Sequence, residues 1–239
     1  MRKQKYYILN TAISYLSDEQ INNLDSEKEL TGHGRNSVTT INNEKIFVKK
    51  IPLTKLEYDN PFNTSNLYNL PTFYNYGIES IGLNCFRELA MHIKTTNWVL
   101  NDDIENFPLL YHYRIIKNVT PFDNFANNDE LDKYVKKWND DKNIKNYAVA
   151  RNASEYDIVL FLEYFPYILH DWLNPDVKQI ESYISQMTKT IDYLNNHNII
   201  HFDANSRNVL SDGEKIYLTD FGLVLDLSFN LTKQEKDLS

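Results

Sequence analysis

One cysteine, Cys85, occurs in the 239 residues. An internal disulfide needs two and a cysteine-based zinc site needs several, so both are excluded. Its place in an apolar helical pattern marks it as a buried thiol. Glycine is scarce, with six residues. Gly32, Gly34, Gly213 and Gly222 fall in turn or loop patterns. No run of about 18 apolar residues exists, which removes a membrane-spanning helix. The basic start Met1-Arg2-Lys3-Gln4-Lys5 leads into Tyr6-Tyr7-Ile8-Leu9-Asn10, too short an apolar core for a secretory signal. Lys and Arg number 25 against 33 Asp and Glu, a net charge of −8. That balance opposes non-specific binding to a phosphate backbone. Internal repeats and long low-complexity segments are also missing. The expectation is a cytoplasmic globular protein with no nucleic-acid or membrane partner, a secreted effector being the alternative. Apolar content of 42% and aromatic content of 13% fit a packed interior. The length allows one bilobal domain or two small ones.

What is present is concentrated near the end of the chain. His201-Phe202-Asp203-Ala204-Asn205-Ser206-Arg207-Asn208 reads H-x-D-x-x-x-x-N, and Asp220-Phe221-Gly222 follows twelve residues after Asn208. Ile199-Ile200 is an apolar run entering the first loop. Val209-Leu210, a Ser211-Asp212-Gly213-Glu214 turn and Ile216-Tyr217-Leu218 form a hairpin between the two motifs. Two carboxylates and an amide are thus delivered from neighbouring loops. Phosphoryl transfer from a metal-bound nucleotide needs one group to orient the attacking hydroxyl and oxygen ligands for the metal. Magnesium keeps several waters, so an Asp and an Asn with the phosphates suffice.

The joint pattern resembles the protein-kinase family. The resemblance implies that Asp203 is the catalytic base and that Asn208 and Asp220 are magnesium ligands. It implies that Phe221 packs beneath the Asp220 loop and that His201 is structural. Asn205 stands where the family often has Lys, and Arg207 resembles the tyrosine-kinase arrangement, able to supply positive charge near the transferred phosphoryl. Phe202 stands where many kinases carry an Arg that answers an activation-loop phosphate. Its absence implies an enzyme that does not need that phosphate.

The resemblance also implies an upstream nucleotide clamp. Gly32, Gly34 and Ser37 offer a degraded glycine loop, followed by the Asn42-Asn43 turn and the strand Lys45-Ile46-Phe47-Val48-Lys49-Lys50-Ile51. Lys49 matches the family's phosphate-binding lysine. Lys50 remains the alternative, because strand alternation gives it the smaller Val48 as its same-face neighbour. Glu88 resembles that lysine's carboxylate partner, on a helix from Cys85 whose apolar stripe is Phe86, Leu89, Ala90 and Ile93. The 39-residue gap from Lys49 to Glu88 reads as an inserted surface loop. Two strands follow, Leu109–Ile116 and Asp157–Tyr164, with a short helix near Asp129–Trp138 between them. Glu163 to Phe165 resemble the hinge that pairs with adenine, with Leu162 as gatekeeper. A helix from Asn174-Pro175-Asp176 to His197 buries Ile180, Tyr183, Ile184, Met187, Ile191 and Leu194. Another helix occupies part of the first thirty residues.

The expected fold is α+β and bilobal. Residues 1–164 form a sheet lobe with a nucleotide clamp, and 165–239 form an abbreviated, mainly helical lobe. The expected cofactors are ATP and Mg2+. The leading function is phosphotransfer to a protein Ser/Thr hydroxyl. A nucleotide-binding pseudokinase and a small-molecule kinase of aminoglycoside or choline type are the alternatives. Only 17 residues follow Gly222, and Thr232-Lys233-Gln234-Glu235 resembles a capping box. Leu223, Val224, Leu225 and Leu227 are therefore expected to form an uncovered apolar floor, met by a partner or a second copy, in a minimal fold or a fragment.

Overall fold

The computed structural model describes residues 2–24, 28–30, 35–119, 125, 127–171 and 177–238. In chain order the first half runs α1 (Arg2–Ser14), α2 (Asp18–Asn22), β1 (Lys28–Leu30), β2 (Arg35–Ile41), β3 (Glu44–Leu53), α3 (Lys55–Tyr58), α4 (Thr72–Asn75), α5 (Cys85–Leu100) and β4 (Leu110–Lys117). It continues with α6 (Asn128–Lys137), α7 (Lys142–Asn152), β5 (Tyr156–Glu163), β6 (Tyr167–Ile168), α8 (Val177–Asn196), β7 (Ile199–Ile200), β8 (Val209–Ser211), β9 (Ile216–Leu218), β10 (Leu225–Asp226) and α9 (Lys233–Lys236). The arrangement is α+β and roughly bilobal, as the sequence leads one to expect.

The first lobe is a five-stranded antiparallel sheet in the order β1-β2-β3-β5-β4. Asn42 and Asn43 turn β2 into β3, both with positive φ (52° and 63°). That is the turn geometry that short polar side chains tolerate and right-twisted hairpins favour. β5 lies inside the sheet, and its residues Ile158 to Leu162 are buried. Strand alternation divides β3 between two environments. Ile46 and Val48 join the core that holds Leu9 and Ile13 of α1. Ile51 and Leu53 join Phe86 and Leu89 of α5, with Phe47 packed against them. The N-terminal helix is therefore part of this lobe's core.

The segment between β3 and α5 is not a surface loop. Leu70 and Tyr74 are buried with Ile144, Tyr147 and Ala148 of α7, and Tyr134 and Trp138 pack around them. Apolar and aromatic side chains from two insertions give each other the cover that neither has alone. Glu57 ties this satellite to α5. It closes a capping box with Thr54, and its second oxygen accepts the Cys85 N–H at 3.3 Å. Asn84 caps the same helix end through the Phe86 N–H at 2.9 Å.

Two other expectations need correction. Ile93 of α5 is 37% exposed, and Ile180 and Ile184 of α8 are exposed, whereas Tyr183 and Leu194 are buried. The helical stripes are thus narrower than periodicity implies. Leu223, Val224 and Leu225 are buried, and only Leu227 of the expected apolar floor is exposed. The segment turns back, pairs β10 with β7 and ends in the capping box of Thr232 and Glu235. The helix start expected at Asn174 lies among residues 172–176, outside the described residues, and α8 is described from Val177.

Candidate active site

A cleft of about 1000 Å3 opens between the sheet and the lower lobe. Asn36, Val38, Phe47, Lys49, Glu88 and Leu162 line it above, and Asp203, Asn208, Asp220 and Gly222 line it below.

β3 presents Lys49 to this cleft. Its Nζ lies 2.6 Å from Glu88 Oε1 and 3.0 Å from Asp220 Oδ1. Burial disfavours the ammonium, but the charges of Asp220 and Glu88 outweigh it and raise the Lys49 pKa above its ordinary 10.5. Burial would likewise raise the Glu88 carboxyl, yet Lys49 and His92 bring it down to about 2. The ion pair stays charged through the physiological range. Lys50 shares its face with Val48, on the other side of the strand.

The lower loops bring the remaining groups together. Asn208 donates from Nδ2 to the Asp203 carbonyl at 2.9 Å and to Asp203 Oδ2 at 2.8 Å. Those two bonds fix the amide's orientation and turn its oxygen away from Asp203. Asn205 donates to Asp203 Oδ1 at 2.6 Å. Both carboxylate oxygens are held, so the side chain is pre-oriented. The His201 Nε2 lies 3.1 Å from the Thr219 carbonyl, and its Nδ1 accepts the Asp203 N–H at 3.3 Å. One imidazole thus joins the two motif loops, in the tautomer that carries the proton on Nε2. Phe221 is fully buried between the rings of His92 (centroids 4.9 Å apart) and His201 (5.5 Å). Asp220 has φ of 63°, a left-handed conformation that bends the chain just before Phe221.

An Asp carboxylate and an Asn amide oxygen are hard donors suited to magnesium alongside phosphate oxygens. Asp220 has the exposure to accept one, at 45% of its side chain. Among the described residues no group of three or more His, Cys, Asp or Glu side chains forms a metal site by itself. A metal held here would depend on the nucleotide's oxygens for the rest of its shell.

Burial pushes the His201 imidazole below its ordinary 6.5, and the charge of Asp220 only partly offsets this. The folded state then binds fewer protons than the unfolded state below that pH. The stability His201 contributes is complete above pH 6.5 and is lost as pH falls. Melting temperature in metal-free buffer is expected to fall between pH 7.5 and 5.5, with a shallower slope for His201→Gln. Equal slopes would remove His201 as the cause.

Other sequence-derived positions land less simply. Gly32 and Gly34 lie outside the described residues. Ser37 pairs with Val48 inside β2, while its neighbours Asn36 and Val38 line the cleft. Alternation turns the Ser37 side chain away and leaves Asn36 on the cleft side. The Glu163 N–H bonds the Leu109 carbonyl at 2.8 Å and is not free for a base. The Glu163 carboxylate is held by Arg2, with Nη2 to Oε2 at 2.6 Å. Tyr164 and Phe165 remain on the cleft wall, and Phe165 stacks on Tyr217 with centroids 3.8 Å apart. Arg207 is exposed at the cleft mouth. Phe202 packs against Tyr76 at 4.7 Å. The sequence does not single out Arg2, Asn36, Tyr76 or residues 78–84, the last of which line the cleft. Asn36 was within reach, being one residue from Ser37 on a recognised strand.

Comparison with known proteins fits this geometry. Residues 123–236 match the family model described as protein kinase domain. A stretch of 61 residues, 24% of the chain, is 46% identical to serine/threonine-protein kinase PKH2 of Saccharomyces cerevisiae, and covers 6% of that protein. Over residues 123–236 the chain is similar to protein kinase domains. Among the described residues no helix is long and apolar enough to cross a membrane.

Proposed function

We propose that the protein is an ATP- and Mg2+-dependent phosphotransferase acting on a protein Ser/Thr hydroxyl. The observation that carries this reading is the meeting of Lys49, Glu88 and Asp220 within 3.0 Å in a cleft that also holds Asp203 and Asn208. A bound magnesium ion would supply positive charge against the charge that develops on the phosphates. Asn208 and Asp220 would hold it. Lys49, fixed by Glu88, would orient the phosphates, and its closeness to Asp220 would draw them toward the metal ligands. Asp203, held by Asn205 and Asn208, would orient the acceptor hydroxyl and take its proton. Arg207 at the mouth would add positive charge beside the transferred group. The adenine would lie against Phe47, Leu162 and the Tyr164–Phe165 backbone. The partial match to a yeast serine/threonine kinase supports a protein acceptor. The wall made by Ile78–Asn84 favours a second reading, a small hydroxyl compound as acceptor.

The test is ATP consumption with Mg2+ by wild type and Asp203→Asn, each with a general protein substrate and with a panel of aminoglycosides and choline. Asp203→Asn is expected to lose turnover while keeping Mg-ATP affinity by thermal shift. Turnover only with a small hydroxyl compound would select the second reading. Wild type that binds Mg-ATP without turning over under any condition would point instead to a nucleotide-binding pseudokinase.

A further inference from the structure

We propose that a buried ion pair between Arg87 and Glu235, linked to the catalytic loop through Tyr76 and Phe202, is a built-in latch. It holds α5 in the position that sets Glu88 on Lys49. Its role in turnover rests on the phosphotransferase reading, but its effect on α5 does not.

Arg87 precedes Glu88, so any force on one is felt by the other. Its Nη1 lies 2.7 Å from Glu235 Oε1, with side chains 3% and 0% exposed. Burial alone would raise the Glu235 carboxyl, but the hydrogen bond and charge of Arg87 reverse this and lower it. Glu235 therefore faces the guanidinium as a carboxylate. The Arg87 Nη2 is buried without a hydrogen-bond partner, so the charge leans on this one carboxylate. A buried charge that loses its only counter-charge is strongly unfavourable.

Glu235 is also tied into its own segment. Its Oε2 accepts the Thr232 N–H at 2.8 Å, closing the capping box of α9. The same segment reaches α5 again through Lys94, which bonds the buried Asp226. Arg87 lies over the Phe229 ring at 5.6 Å, and its Nε donates to the Thr64 carbonyl at 2.7 Å. The residues after Asp220-Phe221-Gly222 thus grip α5 at positions two turns apart.

Tyr76 extends the grip to the base. Its hydroxyl donates to Glu235 Oε1 at 3.0 Å and accepts from Arg87 Nη1 at 3.1 Å. Its ring packs at a tilt against Phe202, the residue before Asp203, and Phe202 is itself held at a φ of 60°. A continuous set of contacts runs from Glu88 through Arg87 and Tyr76 to Asp203. Arg87, Tyr76 and Glu235 are positioning residues on this account. They touch no substrate, and the carboxylate of Glu235 supplies the negative charge that keeps α5 docked.

Cys85 reports on the latch directly. It is the one cysteine in the chain, lies two residues before Arg87 and is 2% exposed. The experiment measures its reaction with 5,5′-dithiobis(2-nitrobenzoate) in the full chain without nucleotide. The variants are wild type, Glu235→Gln, Tyr76→Phe, and Ile13→Ala as a control that weakens the core under α1. Labelling of Glu235→Gln is expected to be roughly tenfold faster or more, because losing the counter-charge favours local opening of α5. Tyr76→Phe is expected to give a smaller increase. Ile13→Ala should label at close to the wild-type rate, even with an equal loss of melting temperature. In turnover, Glu235→Gln should lower kcat with little change in KM for ATP, and Ile13→Ala should change neither. Unchanged Cys85 labelling in Glu235→Gln, or an equal increase in Ile13→Ala, would overturn the latch. If Glu235→Gln fails to fold, Tyr76→Phe decides, and wild-type labelling in that variant would overturn the proposal. A wild type without turnover would count against the phosphotransferase reading alone, since the thiol rates still decide this one.

Discussion

Asp220→Ala is expected to lower Mg-ATP turnover by on the order of 10²–10³-fold, the scale on which removal of one preorganised electrostatic group acts in an enzyme site. The side chain has two tasks on the proposed reading. It is a metal ligand, and it is one of two carboxylates around Lys49. Alanine removes both while leaving Phe221 under the loop. Asp220 already sits at a positive φ of 63°, which alanine tolerates less well than Asp, so some stability is lost too. Measuring kcat at saturating Mg-ATP, with circular dichroism as the folding control, separates the effects. Turnover within a few-fold of wild type would remove Asp220 from the metal site.

Lys49→Met and Lys50→Met are expected to diverge sharply. Lys49→Met leaves Glu88 and Asp220 facing the same space without the ammonium between them, at distances of 2.6 and 3.0 Å from its former position. Their mutual repulsion raises at least one carboxyl pKa, and the phosphates lose their anchor. A loss of turnover on the order of 10²-fold or more is expected, again by removal of a preorganised charge. Lys50→Met lies on the opposite face of β3 and should leave turnover close to wild type. Similar losses in both variants would contradict the assignment of Lys49 to the cleft.

The contrast between these lysines shows what the sequence could and could not carry. The loop from His201 to Asn208 was legible because its contacts are local. Asp203, Asn205 and Asn208 bond one another within five residues, inside the span that the motif itself covers. The Asn42-Asn43 turn was legible for the same reason. Lys49 against Lys50 was left open because alternation gave two consistent answers. Phe47, large for a nucleotide roof, does line the cleft, and no local rule decides that. Glu88 follows once its helix is recognised, but its distance to Lys49 depends on how α5 docks.

Contacts between distant positions left no periodic trace. Arg87 meets Glu235 across 148 residues, and Arg2 meets Glu163 across 161. Nothing in the sequence pairs either arginine with its carboxylate. The helix α7 is a different case. Ile144, Tyr147, Ala148 and Arg151 are its buried residues, at i, i+3, i+4 and i+7 after the Asp141 cap. The signal was present, but an arginine at the last position hid an apolar stripe. The same helix covers Tyr74 and Leu70, and nothing in the sequence of the insertion before α5 points to that cover. Composition rich in Asn, Thr, Ser and Tyr suggests exposure, and only the partner helix reveals the cover.

The most direct test of the central claim is binding of Mn2+ as a magnesium substitute, followed by water-proton relaxation in the presence and absence of ATP. Wild type is expected to form a ternary complex in which Mn2+ binds only together with ATP. Asp220→Ala and Asn208→Ala should lose that enhancement, and Lys50→Met should keep it. Equal nucleotide-dependent enhancement in wild type and Asp220→Ala would mean that the metal sits elsewhere, and the convergence of Asp203, Asn208 and Asp220 would not be a phosphoryl-transfer site.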